Sequence, residues 1–180
     1  MKFRPLKIPG VVLIEPEPLR DERGFFARVW CEREFEAQGL SVRLAQSSIS
    51  YNEKKGTLRG IHFQRAPWEE TKIVRCTAGS VFDVVVDLRA ESPTYRMHEA
   101  VVLSSRERSM LYIPKGCAHG FQTLEDGTEV LYWMDQFYEP SAASGVRWND
   151  PSLAIEWPQG NRIVSANDQA LPLLRESVLL

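Results

Sequence analysis

Only three cysteines, Cys31, Cys76 and Cys117, occur in the 180 residues, and no two stand in a CxxC or other ligand spacing. An odd and sparse set argues against a disulfide framework and against a zinc site. Neither sign of charge dominates: 22 Lys and Arg against 24 Asp and Glu leave a net charge of −2. That balance removes any bulk electrostatic reason to bind nucleic acid or an acidic membrane, although local cations remain free to hold a phosphate. No apolar run approaches transmembrane length, and the opening MKFRPLKIPG is too polar and interrupted for a signal peptide. The cytoplasm is the expected compartment. What is present is ordinary for a globular protein, with 43% hydrophobic and 26% charged residues. Residues 1–180 are expected to form a single domain, large enough to bury a substantial core.

Helix is scarce as well. Short β-rich runs follow one another: VVLIEP, FFARVW, RLAQSSISY, TLRGIHF, TKIVRCT, SVFDVVVDL, HEAVVLS, SMLYI, HGFQTL and EVLYWMDQFY. Turn residues punctuate them at Asp21–Gly24, Asn52–Gly56, Ser92–Pro93, Pro114–Gly116 and Glu125–Gly127. Closely spaced strands with little between them predict an all-β sandwich or jelly-roll barrel and exclude a βαβ fold. Short helices are expected at Glu32–Gln38, around Pro151–Ala154 and near Gln169–Arg175. There is no internal repeat, low-complexity segment or linker. A barrel interior is lined by alternate residues of each strand, so the alternation says which reactive groups share a chamber.

His62, one of three histidines, sits in the strand-like run TLRGIHFQ, and by the two-residue period Gly60 and Gln64 share its face. Lys72 in TKIVRC alternates with Val74 and Cys76, which predicts an inward, largely apolar face. His119 lies in GCAHGF; Tyr132 and Tyr138 lie in TEVLYWMDQFY, on one face if the strand is straight, up to roughly 20 Å apart. A base, a fixed cation and a phenol on neighbouring strands point to proton transfer inside a barrel. A lysine facing inward is costly without a partner or a task. At about 4 Å and an effective dielectric near 20, its attraction for an enolate oxygen is roughly 4 kcal/mol. Taken alone, these residues leave plainer roles open. His62 and His119 could be core histidines satisfied by carbonyls, Lys72 an edge residue and the tyrosines aromatic packing. Asp168 in SANDQALP could be a helix N-cap, and Arg23 in DERGFF a surface charge. His62, Glu69 or Glu70, and His119 could also supply mixed metal ligands. The usual metal-barrel pattern, however, has two histidines one residue apart, and Gln64 occupies the partner position. Neither metal nor cofactor is expected. Cys117, two residues from His119, has no orienting acid and reads as a buried structural thiol.

LRGIHFQ, KIVR, VFDVVVDLR, SPTY, IPKGCAHGF, the LY of EVLYW, GVRWNDP and IEWP occur in this order, within a likeness that runs from about Pro16 to Pro172. Together they resemble the dTDP-4-dehydrorhamnose 3,5-epimerase family. The resemblance implies a cupin-type jelly-roll barrel and a homodimeric isomerase needing no cofactor. Its substrate would be a nucleotide-linked 4-keto-6-deoxyhexose, with dTDP-4-dehydro-6-deoxyglucose expected, epimerised at C3, C5 or both through an enolate. It makes His62 the base, Asp168 its carboxylate partner although more than a hundred residues away, Lys72 the enolate cation and Tyr132 the far-face acid. It assigns Arg23 and Arg59 to the diphosphate, Arg23 across the dimer interface, and Tyr138 to stacking on the base. Phe26, Gln46, Ser48 and His119 fall at further substrate-binding positions. A regular strand would put Arg59 on the face opposite His62, so the resemblance also implies a bulge at Gly60 or a loop there.

Several positions depart from the family pattern. Arg28 and Ala143 stand where glutamates are usual, Ser48 replaces an asparagine, and Trp133 and Met134 are bulkier than is common. If Arg28 and Ala143 face the ligand, the rim is more positive than the pattern. The base, acid and cation are untouched, while the nucleotide, the sugar and the number of carbons inverted stay open. Three alternatives accompany this reading: a single-carbon epimerase, a non-epimerising or ketoisomerase-like sugar-nucleotide cupin, and a metallo-cupin oxygenase.

Overall fold

Alternating apolar residues, many of them β-branched, commit far more of the chain to strand than to helix. The computed structural model describes residues 1–40 and 43–174. In chain order its strands are β1 (Lys2–Pro5), β2 (Val12–Glu15), β3 (Leu19–Asp21), β4 (Gly24–Phe26), β5 (Gln46–Asn52), β6 (Thr57–Gln64) and β7 (Lys72–Ala78). They continue as β8 (Ser80–Asp87), β9 (His98–Ser104), β10 (Met110–Ile113), β11 (Cys117–Thr123), β12 (Thr128–Met134), β13 (Ala143–Gly145) and β14 (Ile163–Val164). Two short helices, α1 (Glu32–Glu36) and α2 (Ala166–Gln169), complete the described elements. One sheet runs β1-β2-β10-β7-β12-β5; the other runs β13-β6-β11-β8-β9, with β14 parallel to β6. The fold is all-β, a cupin-type jelly roll with few helices. No helix among the described residues is long and apolar enough to cross a membrane.

The interior is divided along its length. Leu13, Val74, Leu111 and Val130 from the first sheet meet Val81, Val85, Leu103, Cys117 and Phe121 from the second in one buried cluster. The same inward rows then turn polar: Val74 gives way to Lys72, Phe121 to His119, Val130 to Tyr132. Apolar burial, at roughly 25 cal/mol per Å², therefore closes one end of the barrel. The other end is left as a chamber. Outside, Phe35 of α1 is fully buried against Val12, Ile14, Ile73 and Met110 and meets Phe3 edge-on at 5.4 Å. The second sheet is covered by Leu153, Trp157 and Leu174 of the C-terminal segment.

Three expectations need correction. The residues around Pro151–Ala154 form a turn, not a helix, because Asp150 Oδ1 accepts from both Ser152 N (2.8 Å) and Ser152 Oγ (2.6 Å). The helix placed near Gln169–Arg175 lies earlier. Ser165, not Asp168, is its N-cap, its Oγ accepting from Asp168 N at 3.1 Å, and Pro172 cannot extend the hydrogen-bond ladder; Arg175 lies outside the described residues. Finally, the run to Tyr138 is not one strand. β12 ends at Met134, where Asp135 Oδ1 accepts from Thr71 N at 2.7 Å, and Tyr138 follows on a loop.

Candidate active site

The chamber takes its shape from an irregularity in β6. Between the pairs His62↔His119 and Arg59↔Phe121, β6 uses three steps where β11 uses two. The extra residue is a bulge at Gly60–Ile61. Gly60 has φ +117°, and a Cβ there would lie 2.6 Å from Gly120 Cα and 2.9 Å from His119 O, so only glycine fits. The bulge turns Arg59 onto the cleft beside His62, where strict alternation would have hidden it. The same alternation had grouped Gly60 with His62, and that grouping fails. Gln64, beyond the bulge, does line the cleft.

The cleft encloses about 600 Å³ and is lined by His62, Lys72, Tyr132, Asp168, Gln46, Ser48, Arg59, His119 and Tyr138. Ala143 also lines it. Arg23 and Phe26 do not: they sit on the exposed β3–β4 hairpin, Arg23 bonded to Asp21 and Phe26 71% exposed. Arg28 is likewise away from the cleft and pairs with Glu34 at 3.0 Å, so within one chain the more positive rim rests on Ala143 alone.

Asp168 reaches His62 through a short relay of structure. β14 pairs with the start of β6 at Thr57 and Leu58, and α2 follows directly, so its third residue points back at the strand. Asp168 Oδ1 lies 2.6 Å from His62 Nε2, and Oδ2 accepts from Gly60 N at 3.5 Å. A carboxylate can only accept, so Nε2–H is the donor and Nδ1 carries the lone pair. Partial withdrawal of the ring from water lowers the pKa of His62; Asp168 opposes this, and Lys72 and His119 lower it further. The imidazole is thus held neutral, with a carboxylate in place for the imidazolium.

Lys72 is 9% exposed and pairs with Glu70 at 2.9 Å inside the cleft. Tyr132 has its phenol pKa raised far above the ordinary value, chiefly by desolvation and further by Asp83, with Arg59 opposing. It therefore stays a proton donor. Nε2 of His119 lies 3.0 and 2.9 Å from the two oxygens of the fully buried Asp83, and its ring meets Tyr132 edge-on at 6.1 Å. Arg59 Nε donates to Asn52 Oδ1 at 2.8 Å, which fixes the guanidinium over the cleft wall. Burial pushes the Cys117 thiol up to about 12, which removes it as a nucleophile. Among the described residues no three His, Cys, Asp or Glu side chains converge as metal ligands.

Sequence reasoning missed Asp83 altogether, and it weighed Glu70 as a metal ligand but not as the partner of Lys72. Each carried a signal: Asp83 is an acid inside the apolar run VFDVVVD, and Glu70 precedes Lys72 by two residues.

A carboxylate-held imidazole, a lysine and a protonated phenol share one jelly-roll chamber, an arrangement able to take a proton from one side of a ligand and return one from another. The dTDP-4-dehydrorhamnose 3,5-epimerase model matches residues 5–176, and the chain belongs to that family. The dTDP-4-dehydrorhamnose 3,5-epimerase of Salmonella typhimurium is 44% identical over 96% of this chain and 94% of its own length. The dTDP-4-dehydrorhamnose 3-epimerase of Streptomyces niveus is 42% identical over 98% of this chain and 86% of its own. A crystal structure of the Legionella pneumophila dTDP-6-deoxy-D-glucose-3,5-epimerase in complex with dTDP-4-keto-L-rhamnose superimposes with a TM-score of 0.90, at 36% identity over 96% of this chain and 92% of that one.

Proposed function

We propose that the chain, acting as one domain, epimerises a dTDP-linked 4-keto-6-deoxyhexose at C3, C5 or both. The observation that carries this is the 2.6 Å His62–Asp168 contact opening onto the cleft that Lys72 and Tyr132 share. The 4-keto group acidifies the neighbouring C–H bonds. Neutral His62 takes one proton, and the C–H electron pair forms the enolate, whose oxygen faces the Lys72 ammonium. Tyr132 delivers a proton to the opposite face and regains one from solvent, as does the medium from His62. Asp168 stabilises the imidazolium between those events.

Two relatives of nearly equal identity, 44% and 42%, are named for inversion at two carbons and at one. Similarity therefore supports the single-carbon reading as a second possibility, and deuterium counted at C3 and C5 separates the two.

The acid limb of kcat/KM follows from the charge balance on His62. Since burial lowers its pKa and Asp168 raises it, the limb falls below the ordinary imidazole value of about 6.5. Asp168→Asn removes the raising contribution, so the limb moves to lower pH while the plateau rate drops. A limb that moves to higher pH in this variant contradicts the assignment.

Tyr138 is 62% exposed at the cleft mouth, where the family resemblance puts the nucleotide base. Tyr138→Ala is expected to weaken dTDP binding by about 1–3 kcal/mol, the range for base–aromatic stacking. Titration calorimetry with dTDP, CDP, GDP and UDP checks this, and clearly tighter binding of another nucleotide removes the dTDP assignment.

The working unit in this proposal is a homodimer in which the β3–β4 hairpin brings Arg23 and Phe26 to the partner's cleft. Their exposure, together with Leu19 at 73%, supports it. Co-expressing His62→Asn chains with Arg23→Ala chains tests it. Each mixed dimer then holds one cleft with both groups, so activity returns to about half per dimer for a two-fold assembly. A hairpin that served its own chain would give no recovery.

A further inference from the structure

Gln64 is 4% exposed, and all of its amide is engaged. Its Oε1 accepts from Glu139 N at 2.7 Å, while Nε2 donates to Phe137 O at 3.1 Å and Trp68 O at 2.9 Å. Tyr138, between the first two partners, gives its own N–H to Gln46 Oε1 at 2.9 Å. The backbone on both sides of Tyr138 is therefore held by one buried glutamine, and at Tyr138 itself by the half-buried Gln46. The same Gln64 Nε2 also reaches Glu70 Oε2 at 3.5 Å, and Glu70 Oε1 holds Lys72 Nζ at 2.9 Å. An unbroken chain of polar contacts runs from the loop carrying Tyr138 through Gln64 and Glu70 to the ammonium in the cleft.

We propose that Gln64 and Glu70 are positioning residues that couple the aromatic platform at Tyr138 to the placement of Lys72. This rests on the epimerase reading above. Lys72 is a flexible side chain whose value to an enolate depends on where its charge sits, and Glu70 fixes that position. Glu70 in turn answers to Gln64 across the longest contact in the chain. A base stacked on Tyr138 settles the loop, the loop settles Gln64, and Gln64 sets where its Nε2 stands against Glu70 Oε2. Binding energy from a part of the substrate remote from the reacting carbons is thereby used at those carbons, which raises kcat and not merely affinity.

The test is a double-mutant cycle on solvent deuterium exchange into dTDP-4-keto-6-deoxyglucose at saturating substrate. Tyr138→Ala is expected to lower the saturated exchange rate itself by about tenfold, as misplacement of a remote positioning element does. Gln64→Leu is expected to lower it similarly, and the double variant to fall no more than about threefold below either single one, since coupled positions are not additive. Gln64→Glu, which keeps the acceptor for Glu139 N–H but loses the donors, serves as a second background if the leucine variant melts early; the same non-additivity is expected there. Losses that multiply in both backgrounds, or a Tyr138→Ala effect confined to KM, overturn the coupling. Absence of exchange in the unmutated enzyme overturns the epimerase reading instead, so the two failures are distinct.

Discussion

His62→Asn is expected to cut solvent deuterium incorporation at C3 and C5 by about 10³-fold, within the range for removing a general base. Asparagine keeps a polar group where the ring's Nδ1 and Cδ2 stand but ends short of Asp168, which the ring meets through Nε2, so the loss is that of the basic nitrogen together with this contact. Binding of dTDP is expected to stay near its unmutated value, because His62 lies with Lys72 and Tyr132 in the cleft and Tyr138 at its mouth. The assay is proton NMR of the substrate in D2O, with calorimetry on dTDP alongside. Retained exchange in the variant would show that another group is the base.

Tyr132→Phe separates exchange from inversion. The substitution deletes one hydroxyl with little change in volume, and the ring keeps its edge-on contact with His119. The base face is intact, so His62 continues to take a proton and return deuterium. The far face has lost its donor, one whose phenol is kept protonated by burial and by Asp83. Inverted product is expected to fall by about 10²-fold, the lower range for an acid–base group, with exchange falling far less. Equal losses of both would mean that Tyr132 binds substrate or supports the enolate and is not the far-face acid.

Much of the architecture is legible in residue patterns because strands state their faces every second residue. Lys72, Val74 and Cys76 are the plainest case: the alternation predicts an inward lysine, and it is 9% exposed. Arg59 and His62 show the limit. Their common face depends on a bulge that the approach of Gly120 to Gly60 demands, and that approach is a tertiary fact with no period of its own. The Asp168 contact is hidden for a related reason. It is delivered by β14, a pairing two residues long, whose register no local pattern announces. The sequence reading carries the strand run EVLYWMDQFY as far as Tyr138, yet Asp135 ends the strand by binding Thr71 N from another segment. The turn after Asp150 follows from side-chain competition for backbone donors, which helix propensity does not register. Family motifs supplied the long-range pairings that periodicity could not.

The central claim is that this chamber makes and quenches an enolate beside a 4-keto group. Incubating the unmutated enzyme with dTDP-4-keto-6-deoxyglucose in D2O and following C3 and C5 by NMR addresses it directly. The account predicts that the proton signal at one or both carbons disappears as deuterium enters, accompanied by inverted product. A substrate that binds yet keeps both protons and its configuration contradicts it.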